Sequence, residues 1–450
     1  MPDCNLPSVT RQDGRPRRLP PPLTGPLEKT MKKIATKLTT RPSGEARGIG
    51  CDTYLAPPPP LNGRIIGLDC HPDTFTAAVF QGTTPHNAQK LSNHPDMSLA
   101  RLLHWAAKEF TRNDIFLMEA GSNSFEIHRR LLALGLRAVV MESCYVGKHA
   151  KTYADNDKMA AARIALVYLQ GNAPCVWVPD ALTCERRELL HAYNKAVEDR
   201  TAASNSLKGY LNQFAIRTGT RSLEKSEAWI AAKRDWTPLQ IKLLAEYFKN
   251  LRAQTERRKE LLRLIGAAIC AEPLMLRCMK LLGIGQINAF ALLAVIGDVR
   301  RFERPEKLVA YLGLNPGQRE SGRGKHIKLG VGKRGRGDMR HLLVQGAHAV
   351  LRMGRATPLG QWGWKLFARK GQRNVAVVAV ARKLLVQVWH LLSGNPPVAL
   401  ESDKSLHAKL IKLATMLGKK LRAELSLPPR LADCVEHLRK QLSQIPAAVG

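Results

Sequence analysis

Residues 64–80 read RIIGLDCHPDTFTAAVF, and the parsing of this stretch decides the fold. RIIGLD is an apolar run that ends on Asp69, CHPDT has the composition of a turn, and FTAAVF alternates like the return strand of a hairpin. Downstream, DIFLMEA (114–120) is a further strand that ends on Glu119, residues 125–134 have helical spacing, and LRAVVMES (136–143) is another strand. The order β-β-α-β-α-β predicts an α/β domain. Its strands are expected to be mostly parallel, with acids at their C-terminal ends, where such sheets place their sites.

After AKTYADND, the Ala-rich segment KMAAARIALVYLQ reads as a helix, with Asp155 and Asp157 at or just before its start. VWVPD (176–180) closes the domain. From 182 to about 271 apolar residues recur at three and four in long charged stretches, which predicts two long antiparallel helices forming a coiled-coil arm. A third compact, mainly helical region begins near 279 and includes two apolar helices, HLLVQGAHAVLRM and VAVVAVARKLLVQVWHLL. The expected division is a disordered Pro- and Arg-rich leader over 1–62, the α/β domain over 63–181, the arm over 182–275, the helical domain over 276–400, and a basic, weakly amphipathic tail over 401–450. Met31 offers an alternative start within the leader.

Seventy Lys and Arg against 37 Asp and Glu leave a formal charge of +33. That imbalance predicts a polyanionic partner, and nucleic acid is the best candidate, because neutralised phosphates release counterions. Apolar runs such as FALLAVIG and VAVVAVA are too short to span a bilayer, so no membrane segment is expected. Nine cysteines without a CxxC pair suggest neither a zinc knuckle nor a disulfide framework, and read as cytosolic.

Three acids at element ends, Asp69, Glu119 and Asp157, are of the kind that converge on one point. Gathered carboxylates repel each other unless a divalent cation such as Mg²⁺ is bound, and Mg²⁺ takes their oxygens alongside phosphate. LLGIGQINAFALLAVIG has the form helix, Gly283-Ile284-Gly285, helix, in which turn amides face a backbone phosphate. QRESGRGKHIKLGVGKRGRGDMR (318–340) carries Arg319, Arg323, Lys325, Lys328, Lys333, Arg334 and Arg336 among glycines, a loop suited to phosphate contact. Ser321 is the single hydroxyl in that run. On composition alone a Ser beside Gly reads as a turn residue; positive charge on both sides also suits phosphoryl transfer.

GLD, MEAGS and ND, followed by the helical arm and by LLGIGQINAFALLAVIGDVRRFERPEKLVAYLGLNPGQRESGRGKHIKLGVGKRGRGDMRHLLV, resemble the DEDD transposases of the insertion-sequence 110 family, including its 1111 branch, which act as bridge-RNA-guided recombinases. The resemblance covers residues 63–392. Its most specific part holds Gly283-Ile284-Gly285, Ile296-Gly297-Asp298, Arg301-Phe302, Leu312-Gly313-Leu314, Pro316, Ser321-Gly322 and 333–342. It implies an RNase-H/RuvC-like domain holding Mg²⁺ or Mn²⁺ on Asp69, Glu119 and Asp157, and a helix-hairpin-helix-bearing C-terminal domain whose Ser321 attacks the DNA backbone. It also implies a structured guide RNA that pairs with donor and target DNA, a homo-oligomer built through the arm, and action on DNA in the bacterial cytoplasm and nucleoid.

One position departs from the family pattern. The fourth acid is expected three residues after the third, where this chain has Ala160. Asp155 is the nearest substitute, but it leaves the helix face that positions 157 and 160 share. Two other readings stay open: a metal-dependent junction-resolving nuclease with water as nucleophile, and a catalytically decayed nucleic-acid-binding protein.

Overall fold

A computed structural model describes residues 56–148, 156–219, 222–319, 327–332, 335–353, 357–394 and 403–444. The leader that the sequence sets at 1–62 therefore lies mostly outside the described residues.

The N-terminal part is a five-stranded mixed sheet in the order β3-β2-β1-β4-β5. Strands β1 (Arg64–Cys70), β2 (Phe75–Gln81) and β3 (Gln89–Met97) form an antiparallel meander. Strands β4 (Ile115–Glu119) and β5 (Arg137–Met141) continue the sheet in parallel from β1. Helix α1 (Leu99–Glu109) precedes β4, and α2 (Ser124–Ala133) links β4 to β5. The short α3 (Ser143–Gly147) and then α4 (Asp157–Leu169) follow.

The sheet is mixed, as the resemblance implies and as the hairpin of the first two strands requires, with two antiparallel and two parallel ladders rather than mostly parallel ones. One strand, β3, was not revealed by the sequence. β3 reads QKLSNHPDM, polar and largely exposed, with a proline; as an edge strand it needs only one paired side and no alternating apolar face.

Period-two alternation sends the sheet's side chains into two cores. Ile66, Leu68, Phe116 and Met118 pack with Leu102, Ala106, Ile127 and Leu131 of α1 and α2. Ile65, Ile115 and Leu117 pack with Ala161, Ile164, Ala165 and Tyr168 of α4 on the opposite face. β1 is also pinned at its start: the buried Asp114 carboxylate accepts from the Arg64 amide at 2.8 Å, from Arg64 Nε at 3.1 Å and from the Thr111 amide at 2.7 Å. Burial opposes ionisation of Asp114, but the Arg64 and Thr111 hydrogen bonds outweigh it and hold the carboxyl below its ordinary range.

Helices α5 (Ala181–Asn212) and α7 (Pro238–Ala271) are the two long antiparallel helices, with the short α6 (Glu227–Ala231) between them. Their direction shows in paired contacts that run in opposite order: Arg186 with Glu272 at 3.0 Å near one end and Asp199 with Arg257 at 3.2 Å further along. α7 starts with a capping box, in which Thr237 and Gln240 satisfy each other's backbone amides.

The C-terminal part is helical: α8 (Pro273–Cys278), α9 (Gln286–Ile296), α10 (Pro305–Tyr311), α11 (Gly337–Met353), α12 (Pro358–Lys370), α13 (Arg373–Leu392), α14 (Asp403–Glu424) and α15 (Leu431–Gln444). A two-stranded antiparallel hairpin, β6 (Pro316–Arg319) and β7 (Ile327–Val331), interrupts it. Helix α9 is apolar all round, and its residues 289–296 are buried, as expected of a central core helix. α13 is long and apolar enough to cross a membrane, longer than the VAVVAVA run suggested, but Val377, Val380, Ala381, Leu384, Leu385 and Val388 are buried in the shared core. The segment expected as a weakly amphipathic tail instead supplies core residues, including Leu410, Leu413, Leu417, Cys434, Val435 and Leu438.

Candidate active site

The same alternation that builds the core over α4 positions the acids. Ile65, Gly67 and Asp69 share one face of β1, and Ile115, Leu117 and Glu119 share that face of β4. Leu68 pairs with Met118 across the parallel ladder, so Asp69 and Glu119 stand side by side at the C-terminal edge. Gly67 then sets the position of α4. A Cβ on Gly67 would lie 2.0 Å from the Ala161 carbonyl oxygen, so only glycine lets the helix cross the strand this closely. The close crossing brings the start of α4 over the acid edge. Asn156 caps it by accepting from the Met159 amide at 2.9 Å, and Asp157 is its first residue.

Gly67→Ala is therefore expected to push α4 away from β1, lowering stability by about 2 kcal/mol or more through overpacking. It is also expected to weaken divalent-ion binding. Chemical denaturation and a metal titration on the same variant check both parts.

Asp69 and Asp157 meet through a residue that the sequence reading treated only as part of a turn. His71 Nε2 lies 3.5 Å from Asp69 Oδ2 and 3.4 Å from Asp157 Oδ1. One ligand atom from each of the three residues falls within 4.8 Å of the other two, a group able to hold a metal ion. Glu119 stands on the neighbouring strand next to Asp69, outside that group of three. Burial, the Asp69 charge and the Glu142 charge push its carboxyl above the ordinary range, and Arg163 on α4 only partly offsets them. Such crowding of carboxylates fits a divalent cation. Cys70 does not join the set, because burial, reinforced by Asp69, pushes its thiol up to about 12 and keeps it protonated.

Glu142 is the second residue that the sequence reading passed over. It follows β5 directly, as the acid edge extends across three parallel strands, and accepts from the Tyr145 amide at 2.7 Å as the cap of α3. The signal was present: the rule that drew attention to Asp69 and Glu119, an acid at the C-terminal end of a parallel strand, applies equally to LRAVVMES. Ala160 lies in the first turn of α4 and offers no ligand. Asp155 lies outside the described residues.

In the C-terminal part, Gly283 has φ of 88°, and a Cβ there would lie 2.6 Å from the Gly346 carbonyl oxygen, so this glycine serves a close approach to α11. Gly285 precedes α9 and faces open space. The segment after 400 braces this turn: Lys409 Nζ donates to the Met279 and Leu281 carbonyls at 2.7 and 2.8 Å, and Gln286 Nε2 donates to the Lys409 carbonyl at 2.6 Å. Gly297 of the Ile296-Gly297-Asp298 motif has φ of 61° and sits where a Cβ would strike Trp177 at 2.4 Å. Trp177 also receives the Arg301 guanidinium 4.2 Å from its ring centroid, which ties the end of the sheet domain to the helical body.

Of the basic loop, Ser321, Arg323, Lys325, Lys333 and Arg334 lie outside the described residues. Arg319 ends β6, and Lys328 lies on β7. Arg336 pairs with Asp338 through two hydrogen bonds, of 3.0 and 2.7 Å. The acid edge and the loop are thus carried by different parts of the chain, and what the described residues bring together is Asp69, His71 and Asp157, with Glu119 on the adjacent strand.

The fold is thus an acid-edged mixed α/β sheet followed by paired long helices and a mostly helical C-terminal part. Residues 276–359 match the family described as Transposase IS116/IS110/IS902 family. The chain is similar to the transposase for insertion sequence element IS1111A of Coxiella burnetii, 27% identical over 292 residues that cover 62% of this chain and 77% of that protein. It is similar as well to a probable family 20 transposase of Pseudomonas aeruginosa, 28% identical over 61% of this chain and 83% of the relative. A putative transposase of Sinorhizobium fredii, y4rJ, is 27% identical over 69% of this chain and 88% of its own length. Residues 276–359 thus match the domain of the IS116/IS110/IS902 transposase family, and the chain is similar to transposases over most of its length.

Proposed function

We propose that the chain excises and inserts a mobile DNA element by strand transfer, with Ser321 as nucleophile and Asp69, Glu119 and Asp157 as ligands of Mg²⁺ or Mn²⁺. The observation that carries this reading is the meeting of Asp69 of β1 with Asp157 of α4, with Glu119 of β4 next to Asp69, in a chain whose matched segment, 276–359, contains Ser321. An RNase-H/RuvC-like description of the sheet agrees with its strand order.

A divalent ion held by the acids would supply Lewis-acid stabilisation of charge on a phosphate oxygen. The chain's own residues do the rest. Asp69 and Glu119 fix the ligand positions from adjacent strands, and Asp157 closes the set from the helix that Gly67 admits. Ser321 Oγ forms the new bond to phosphorus as the scissile P–O bond breaks, and its proton passes to the leaving oxygen. Arg319, Arg323, Lys325, Lys328, Lys333, Arg334 and Arg336 offset the phosphate charge, with the Gly285 amide region as a backbone contact. The parts 63–181, 182–275 and the helical part from 276 onward, whose core includes residues after 400, divide these tasks between metal, arm and serine.

Sequence choice is assigned to a structured RNA from the element that pairs with donor and target DNA, consistent with a protein whose net charge of +33 favours backbone contacts. A homo-oligomer is assigned to the arm, whose helix α7 exposes Leu239, Ile241 and Leu243. The test is to incubate the full chain with element-end DNA, the flanking non-coding transcript and Mg²⁺ or Mn²⁺. A detergent-resistant protein–DNA adduct that requires both RNA and metal supports the reading. Cleavage without an adduct assigns the nucleophile to water.

A further inference from the structure

Ala160 leaves the metal centre one ligand short of four acids, and we propose that His71 fills the vacancy. The site then becomes a mixed nitrogen and oxygen centre that prefers a transition ion such as Mn²⁺ to Mg²⁺. This rests on the reading that Asp69 and Asp157 bind metal.

The backbone of His71 is held at both polar atoms: its amide donates to the Thr74 carbonyl at 3.0 Å, and its carbonyl accepts from Asn123 Nδ2 at 2.6 Å. The imidazole is therefore carried on a turn between β1 and β2 whose backbone is held in place. Its Nε2 stands 3.5 Å from one carboxylate oxygen and 3.4 Å from the other. Those separations exceed those of a good hydrogen bond. They are close to the spacing of neighbouring donors around a shared ion, about 3.0 Å for an octahedron with arms near 2.1 Å and about 3.4 Å for a tetrahedron.

The side chains of Asp69, His71 and Asp157 are 22%, 47% and 51% exposed, so the group opens outward, where phosphate oxygens and waters can complete the shell. Ligand chemistry sets the preference. Mg²⁺ demands oxygen donors and gives up water reluctantly, whereas an imidazole nitrogen suits ions further along the divalent series.

The experiment is a Mn²⁺ titration of the metal-free full-length protein followed by electron paramagnetic resonance, with pulsed detection of ¹⁴N coupling. Wild type is expected to bind Mn²⁺ with a nitrogen coupling and more tightly than Mg²⁺. His71→Ala is expected to lose the coupling, to weaken Mn²⁺ by at least about tenfold and to weaken Mg²⁺ less. Asp69→Asn is expected to abolish both affinities. Mn²⁺ binding that depends on Asp69 but shows no nitrogen coupling in wild type overturns the assignment of His71 and leaves the carboxylate site standing. Mn²⁺ binding that survives Asp69→Asn overturns the site and this inference together. The wild-type spectrum decides the matter even where the alanine variant folds poorly.

Discussion

Ser321→Ala is expected to remove the covalent protein–DNA adduct and to cut strand transfer by at least about a thousandfold, with little change in DNA affinity. The reason is chemical. No neighbouring side chain in QRESGRGKHIKLG offers an equivalent hydroxyl, so the nucleophile has no local understudy. On the proposed reading, affinity rests on the surrounding Arg and Lys charges, which the substitution leaves in place. Adduct formation on denaturing gels and binding by fluorescence anisotropy, measured at one stated salt concentration, separate the two effects. Undiminished cleavage by the alanine variant would transfer the chemistry to the acids and water alone.

Asp69→Asn is expected to lower strand transfer by about a hundredfold or more through loss of the metal, because a ligand oxygen that carries charge is replaced by a neutral one. The variant also tests the electrostatics of the acid edge. Glu119 is pushed up from 4.5 by burial and by its acidic neighbours. Its folded form therefore favours the proton. That contribution to stability is complete below the unfolded value and is lost as pH rises through the raised folded value. Metal-free wild type should thus lose stability as pH rises above 4.5, and metal affinity should grow over the same window as Glu119 ionises. In Asp69→Asn the repulsion on Glu119 falls and the loss should shrink. Thermal melting across that window, with and without Mn²⁺, measures both slopes.

Much of the site was legible because strands and helices write their faces into the sequence. RIIGLD and DIFLMEA show apolar runs closing on acids, and the Asn156-Asp157 start of α4 has the residue types of a capped helix. The long helices α5 and α7 were equally clear from spacing at three and four. Other elements carried weaker signals. β3 is polar because it is an exposed edge, and β6 and β7 are short strands in a run where Gly, Arg and Lys hide any alternation. Residues 403–444 looked like a charged tail because each helix shows only a narrow apolar stripe, yet Leu410, Leu413, Leu417 and Leu438 all reach the core.

Local pattern alone placed the strand-end acids and the paired long helices, whereas the missing carboxylate at position 160 is read from the family resemblance. Tertiary structure alone decided that His71 stands between Asp69 and Asp157, and that Gly67 and Gly283 are sites of close approach rather than loose turns. Periodicity records which face of an element is buried, because burial acts on every turn or every second residue. It does not record which distant element covers that face. The meeting of β1 with α4, about ninety residues later, is set by packing across the sheet, and the chemistry of the site follows from that crossing.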